Sequence, residues 1–227
     1  MEEPLPHALG EVAVEELAPL SPAAEAVVRA TDRALRVVNR WFMVPALRAG
    51  LAQWIGTPIG GYILLLRVRG RRTGLVRETP ISYLITDGAA WVLAGLGGRT
   101  QWYRNLLADP DVEIRLPGRD LRCRADVVED ADVRRRMLPR IARATGLPAY
   151  MIGCDPWRAG DDRIVEQLRG VPLVRLSPIS GAIDPGPDDP GGRAWIWRQA
   201  VVTIGAVALV KVARAASRRL LRGGASR

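Results

Sequence analysis

Histidine is nearly absent from this chain of 227 residues, and cysteine is scarce. His7 is the one histidine, which excludes imidazole-based hydrolysis and histidine metal sites from the rest of the sequence. The two cysteines, Cys123 and Cys154, have neither zinc-site spacing nor the number that a disulfide framework needs. The sequence also lacks a P-loop, a G-x-S-x-G elbow and an H-E-x-x-H helix. Catalysis must therefore come from a bound cofactor, and no metal site is predicted.

Acidic residues are missing from one end of the chain and basic residues from the other. Residues 1–25 carry six Glu and no base, whereas residues 193–227 carry eight bases and no acid. The tail therefore carries about as much excess positive charge (+8) as the whole of residues 26–192 (+7), which indicates a basic appendage on a mildly basic domain rather than a nucleic-acid-binding stripe. Nucleic acid is not expected as a partner, and nucleic-acid binding by the basic tail is the less favoured alternative. The acidic N-terminus also lacks the pattern of a signal peptide, which favours a cytoplasmic, reducing location.

Turn residues divide the middle of the chain into short strand-like runs. The predicted strands are Tyr62–Arg69, Val76–Ile85, Trp91–Gly95, Val112–Leu116, Leu121–Val128 and Val171–Leu176. Helices are predicted from Ser21 to about residue 42, from Pro45 to Ile55, from Trp102 to Ala108, and for about 14 residues after Asp130. The predicted fold class is α+β, a small and mostly antiparallel β-barrel flanked by helices.

This pattern predicts five segments. They are a mobile acidic arm (1–20), N-terminal helices (21–58), a barrel domain (59–178), a Pro/Gly linker that buries no apolar surface (179–193) and a basic apolar tail (194–227).

Two segments carry signals for ligand binding. Arg71, Arg72, Thr73 and Gly74, with Arg77 three residues on, form a hairpin turn whose guanidinium groups can converge on a phosphate or carboxylate, although arginines at such a tip can also be merely solvated. The glycine-rich loop 95–98 precedes a helix with Trp102, Tyr103 and Asn105. It offers a second anion site beside aromatic rings, and the alternative is that the aromatics only pack.

These segments, taken in order, resemble the deazaflavin (coenzyme F420)-dependent nitroreductase and quinone reductase family of split β-barrel proteins. The resemblance depends on Gly70-Arg71-Arg72-Thr73-Gly74, on Arg77 and Pro80, on Trp102-Tyr103-Arg104-Asn105-Leu106 and on Val171-Pro172-Leu173. It implies 8-hydroxy-5-deazaflavin (coenzyme F420) as cofactor and the pairing of barrels into a homodimer.

The resemblance also implies a set of cofactor-binding residues. The phosphate and acidic tail of the coenzyme would lie against Arg71, Arg72, Thr73, Gly74, Arg77 and Pro80. The deazaflavin and its ribityl chain would lie against Ala94, Gly95, Gly97, Gly98, Trp102 and Asn105. A polyanionic tail suits a groove rich in arginine. Only Tyr150 occupies a region where nitroimidazole-activating relatives have several tyrosines, and Ser82 replaces an aromatic residue, so prodrug-type nitroreduction is not expected.

The function predicted from this resemblance is hydride transfer from reduced F420 to a quinone-like or other unsaturated apolar acceptor. Tyr103 and Ser82 are the candidate catalytic proton donors, because each carries a hydroxyl near the proposed ring. The alternatives are an FMN-binding barrel, a haem-binding one, or a non-catalytic module that sequesters a cofactor. Haem ranks low because the barrel offers no histidine ligand.

The tail has the composition of a membrane-interface segment. Residues 194–213 include only Arg198 and Lys211 as charged residues, with Trp195 and Trp197 at one end and further arginines beyond the other. It is predicted to hold the enzyme on the anionic inner face of the cell membrane, the alternative being that it docks on protein.

Overall fold

The computed structural model describes residues 33, 36–95, 97 and 100–223, with no side-chain description for 212, 213 and 215–223. The predicted acidic arm lies outside these residues, as do Gly98 and most of the predicted helix from Ser21, of which only residues 33 and 36–42 are described.

Six antiparallel strands close into a barrel in the order β1-β2-β3-β6-β5-β4. The strands are β1 (Ile63–Arg69), β2 (Val76–Thr86), β3 (Ala89–Leu93), β4 (Asp111–Leu116), β5 (Arg119–Val127) and β6 (Leu173–Pro178). Closure pairs the last strand between β3 and β5 and so leaves no free edge among these strands. The predicted α+β barrel is confirmed.

The helices surround this barrel. A π-helical segment (Asn39–Met43) leads into α1 (Val44–Arg48), followed by α2 (Ala52–Ile55), α3 (Gln101–Ala108), α4 (Ala131–Thr145), a 3-10 helix (Leu147–Ile152), α5 (Asp161–Gln167) and α6 (Ala194–Gly223). Asp130 caps α4 as predicted, since its side chain accepts a hydrogen bond of 2.8 Å from the backbone N–H of Val133.

Alternation along the strands creates an inner and an outer apolar layer. Leu64, Leu66 and Val68 point into the barrel, where α3 inserts Trp102, Tyr103 and Leu106. On the outer face, α4 packs on Trp91 and Leu93, and the first two helices cover Leu65. Helix α3 therefore belongs to the barrel core, which fixes it relative to β1.

The segment 179–193 is more than a spacer. Ile183 is 2% exposed within the barrel core, and the carboxylate of Asp189, also 2% exposed, accepts hydrogen bonds from Tyr83 (2.6 Å) and Arg119 (2.8 Å). The expectation that this stretch buries no apolar surface is wrong. Its composition could not reveal that one isoleucine and one aspartate find partners far away in the sequence.

The tail forms one long helix, α6, whose residues Ala194–Lys211 are long and apolar enough to cross a membrane, with none of that stretch buried. Its first turns contact α2. Arg198 lies over the ring of Trp54 at 5.7 Å, and Arg198 and Gln199 donate to the carbonyls of Gln53 and Trp54 at 3.2 and 3.3 Å.

Candidate functional site

The arginine turn between β1 and β2 is attached to helix α3 through Arg71. The backbone N–H of Arg71 donates to Oδ1 of Asn105 at 3.3 Å, and Nη1 donates to the same oxygen at 2.9 Å. Both terminal nitrogens also donate to Oε1 of Gln101 at 3.2 Å. Asn105 is buried, so these bonds hold the turn against the end of the barrel. The sequence analysis missed Gln101, although it directly precedes the W-Y-R-N-L motif.

Arg72 and Arg77 differ from Arg71, because neither forms a hydrogen bond or ion pair with the described part of the chain, and both are exposed. Arg77 pairs with Val68 across β1 and β2, so it lies on the same side of the sheet as the barrel interior, near the end of the barrel where α3 lies. The two guanidinium groups are thus available to an external anion, while Arg71 is committed to α3.

Thr73 and Gly74 complete the turn. Thr73 is exposed, and its hydroxyl accepts a bond of 3.4 Å from the N–H of Leu75. Gly74 has a φ of +67°, which a residue with a side chain rarely adopts, and its N–H donates to the carbonyl of Gly70 at 2.7 Å. The chain reverses tightly here and presents Arg72 outward.

The glycine loop approaches the same end of the barrel. Ala94 is fully buried and donates to the carbonyl of Pro172, Gly95 is half-buried, and Gly97 is buried with a φ of +57°. Thr100 stands at the start of α3, and its Oγ1 is buried without a hydrogen-bond partner among the described residues. A buried hydroxyl without a partner suits a polar ligand atom. Thr100 was also missed by the sequence analysis.

The aromatic pair of α3 packs inside the protein. Trp102 and Tyr103 are 6% and 3% exposed, with their rings edge to face at a centroid distance of 6.0 Å. Burial, with a smaller effect of Glu129, raises the pKa of Tyr103 above its usual value, so its hydroxyl keeps its proton at neutral pH. The structure therefore assigns the pair to the core, the alternative that the sequence left open.

Ser82 and Pro80 lie on the outer side of β2, opposite the face that carries Tyr83. The Ser82 hydroxyl lies 3.5 Å from the position that a Cβ on Gly61 would take. Tyr103 belongs to the inner layer, so the two candidate proton donors stand on opposite faces of the sheet. A single bound ring cannot contact both.

An apolar wall borders the glycine loop. Ile152 lies so close to Gly95 that a Cβ there would meet its Cγ2 at 2.4 Å. In the same segment, Leu147, Tyr150 and Met151 are exposed, and Tyr150 contacts the ring of Trp157 at 5.9 Å. Exposed apolar and aromatic side chains beside a loop are typical of a surface that takes an apolar ligand.

The described residues contain no group of three His, Cys, Asp or Glu side chains that could hold a metal ion. What the site offers is two unpaired guanidinium groups, an orphaned hydroxyl at a helix N-terminus and an apolar wall. Such a site can bind an elongated molecule with an anionic end and a planar end.

Comparison with known proteins finds relatives by sequence. A family model described as F420H(2)-dependent quinone reductase matches residues 43–152, which include β1 to β5 and α4. A relative from Mycobacterium tuberculosis, named as a candidate F420H(2)-dependent quinone reductase, is 33% identical over 118 residues, covering 51% of this chain and 88% of the relative.

Solved structures give weaker likenesses. An F420-H2 dependent reductase is 17% identical with a TM-score of 0.35, covering 52% of this chain and 93% of its own. A conserved hypothetical protein from Mycobacterium tuberculosis is 17% identical with a TM-score of 0.39, covering 58% and 80%. At TM-scores this low, neither likeness bears on function.

Proposed function

The chain belongs to the F420H(2)-dependent quinone reductase family, whose members are F420-dependent oxidoreductases, and from this membership we propose that it reduces a quinone-type acceptor at the end of the barrel beside α3. Bound F420H(2) would supply the hydride. The protein's own residues bind the two molecules, orient them and exclude water.

The observation that carries the proposal is that the arginines of this region differ in their hydrogen bonding. Arg71 is tied to Asn105 and Gln101, whereas Arg72 and Arg77 have no partner in the described chain. The fixed turn presents Arg72 and Arg77, with Thr73 and Gly74, to the phosphate and acidic tail of the coenzyme. Guanidinium groups form bidentate bonds with phosphate and carboxylate, so the donor set fits this cofactor.

The planar end of the coenzyme is assigned to the glycine loop. Gly95 and Gly97 allow close approach to the backbone, and the unpartnered Oγ1 of Thr100 can bond a hydroxyl of the ribityl chain. Asn105 supports the arginine turn rather than the glycine loop, because its side-chain oxygen accepts both of its hydrogen bonds from Arg71. Ala94 and Trp102 are buried, so their role is to shape the surface beneath the proposed deazaflavin position rather than to bond the coenzyme.

Ser82 is the better of the two proton donors predicted. It is only half-buried, on the outer side of β2 near Gly61, whereas Tyr103 is buried in the core. Pro80 precedes it on the same face, and its fixed backbone leaves no N–H to donate there.

The acceptor is proposed from the apolar wall. Leu147, Tyr150 and Met151 are exposed next to Ile152, which contacts the glycine loop. An apolar quinone ring gains from burial against these side chains. The FMN alternative has no observation that favours it, and homodimer formation stays a prediction.

Coenzyme titration tests the proposal. Oxidised F420 is added to purified protein and its fluorescence is followed. Arg72→Glu is the test variant and Arg163→Glu the control, since Arg163 is exposed on α5 and its side chain bonds to no other described residue. Charge reversal at Arg72 should weaken binding by at least about tenfold, because it removes one favourable charge contact and adds a repulsive one. Equal affinities for the wild type and the Arg72 variant would contradict the assignment.

A second assay tests the acceptor. Wild-type protein, F420H(2) and a soluble naphthoquinone are mixed, and the return of F420 fluorescence reports turnover. Met151→Asp should raise the quinone KM and leave the coenzyme affinity unchanged, because the substitution makes only the apolar wall polar. An unchanged KM would show that the apolar wall is not part of the acceptor site.

Location is also part of the proposal. The exposed helix α6, with its basic end, would hold the enzyme at the cytoplasmic face of an anionic membrane, where apolar quinones are concentrated. Flotation with anionic vesicles tests this. The full chain should float, whereas a chain with Ile204→Asn and Leu209→Asn, both on exposed positions of the helix, should stay in solution.

A further inference from the structure

The first helices carry an apolar surface that the described chain leaves uncovered. Trp41 and Phe42 are 76% and 61% exposed, and Leu51 and Trp54 add smaller exposed areas on the turns that follow. We call these four residues the helical face. Large exposed aromatics grouped in 14 residues of sequence are rare on a surface that meets only water.

The tail helix is fixed to this face at its base. Arg198 donates to the carbonyl of Gln53, stacks over Trp54 and forms an ion pair with Asp188. Gln199 donates to the carbonyl of Trp54. The side chains of Arg198 and Asp188 are only 17% and 20% exposed, so the pair is largely shielded from water. The tail therefore leaves the barrel at one defined place, beside the helical face.

Arginines lie among the residues of the face. Residues 39–55 contain Arg40 and Arg48 and no acid, and the neighbouring acids Glu78 and Asp188 are paired with Arg48 and Arg198. Arg33 and Arg40 are exposed, and Arg40 lies over the ring of Trp41 at 5.9 Å. Aromatic side chains flanked by arginine are the composition that favours the headgroup layer of an anionic bilayer.

From these three observations we infer that the helical face lies on the same anionic bilayer that receives the tail helix, so that the barrel is held in one orientation with α1 and α2 toward the lipid. The inference depends on the proposed membrane association of the tail and adds which side of the barrel faces the membrane. The proposed partner of the helical face is a lipid surface. The test below distinguishes this from contact with a second copy of the chain.

Three variants, each with one introduced cysteine, test the inference in the full chain. Native Cys123 and Cys154 are buried, so a polarity-sensitive fluorophore can be attached selectively at an introduced thiol. Phe42→Cys probes the helical face, Ile204→Cys probes the tail, and Ile179→Cys is the control, because Ile179 is 59% exposed and Phe42 61%. Each labelled protein is mixed with vesicles of phosphatidylcholine and phosphatidylglycerol.

The expected result is a blue shift and increased emission at positions 42 and 204, and none at 179. A response at 204 alone would leave the tail in the membrane and overturn the orientation. A response at all three positions would overturn it too, since the membrane would then contact more than one side of the barrel. No response at 42 and 204 would overturn both membrane proposals. A shift at 42 that follows protein concentration without vesicles would assign the face to a second copy and overturn the lipid inference.

A paired substitution gives an independent readout. Trp41→Ser with Phe42→Ser should raise the lipid concentration needed for half-binding by about tenfold, because two exposed aromatic groups no longer enter the interface. F420 affinity and thermal midpoint should stay at wild-type values, since both side chains are largely in solvent. Unchanged lipid binding would contradict the inference.

Discussion

Arg71 donates twice to a single oxygen of Asn105, at 2.9 Å from its guanidinium and at 3.3 Å from its backbone N–H. The two residues are 34 positions apart, and the bonds join the arginine turn to the helix that fills the barrel end. We therefore expect cofactor affinity to depend on Asn105, a residue that need not contact the cofactor.

Replacement of Asn105 by leucine should reveal this dependence. The variant loses both hydrogen bonds that the buried Asn105 side chain accepts. Its free energy of unfolding should therefore fall by about 1–3 kcal/mol. F420 should bind more weakly, because the turn that presents Arg72 is no longer fixed. Gln101→Ala is the control: its bonds to Arg71 are exposed, so stability should fall by less than about 0.5 kcal/mol. Urea unfolding and coenzyme titration measure the two effects, and wild-type affinity in Asn105→Leu would refute the link.

Asp189 should prove a major stabilising residue despite its place in a Pro/Gly-rich segment. Asp189→Ala removes the carboxylate that accepts from the buried Tyr83 hydroxyl and from Arg119, which keeps the Asp184 carbonyl, and should cost about 3–5 kcal/mol. Tyr83→Phe keeps the contacts of Asp189 with Arg119 and Gly186 and should cost about 1–2 kcal/mol.

The control for this pair is Asp184→Ala. Asp184 is exposed, and only its backbone carbonyl bonds Arg119, so the free energy of unfolding should change by less than about 0.5 kcal/mol. Equal losses in the Asp184 and Asp189 variants would show that the segment does not depend on the buried carboxylate. Urea midpoints with an unchanged m-value would confirm that stability alone has changed.

Acid should weaken the contact between α1 and the barrel through Glu78. Burial alone would raise the pKa of Glu78, but hydrogen bonds from Arg48 and Arg67 outweigh it, and the pKa lies below its ordinary value of 4.5. A lowered folded-state pKa adds stability above pH 4.5, and this contribution is lost as the pH falls through the folded value.

The comparison with Glu78→Gln measures this contribution. At neutral pH the wild type should be more stable by on the order of 1 kcal/mol, since solvent screens the exposed Arg48. The difference should shrink below pH 4.5 as Glu78 takes up a proton. A difference that stays constant down to pH 3 would exclude the carboxylate as its source.

Gly146 should tolerate no side chain, for reasons of space as well as backbone angle. It has a φ of +65°, and a Cβ would meet the carbonyl oxygen of Ile59 at 2.3 Å. The same carbonyl accepts the N–H of Leu147 at 2.8 Å, which joins the N-terminal helices to the apolar wall. Gly146→Ala should therefore cost about 3 kcal/mol or more.

Gly118 separates the two causes. Its φ is +75°, but a Cβ there meets nothing within 4 Å, so Gly118→Ala should cost only about 1–2 kcal/mol for the left-handed backbone. Equal thermal midpoints for the two variants would show that the close approach at Ile59 relaxes easily.

The sequence alone determined most element positions and the family, and it indicated the two segments that are proposed to bind the ligand. Strand positions followed from alternating apolar residues and from turns such as Asp87-Gly88 and Pro117-Gly118, which act over a few residues. The arginine turn and the W-Y-R-N-L helix were visible because each motif is continuous in the chain.

The tertiary structure decided the contacts between distant residues. It placed β6 between β3 and β5, separated the committed Arg71 from the unpaired Arg72 and Arg77, and put Trp102 and Tyr103 in the core. It also docked Asp189 on Tyr83, 106 residues away, and the base of the tail on α2. The physical reason is that side-chain roles depend on which groups share a buried volume. Composition and periodicity specify which face of an element is apolar, and only barrel closure specifies what that face meets.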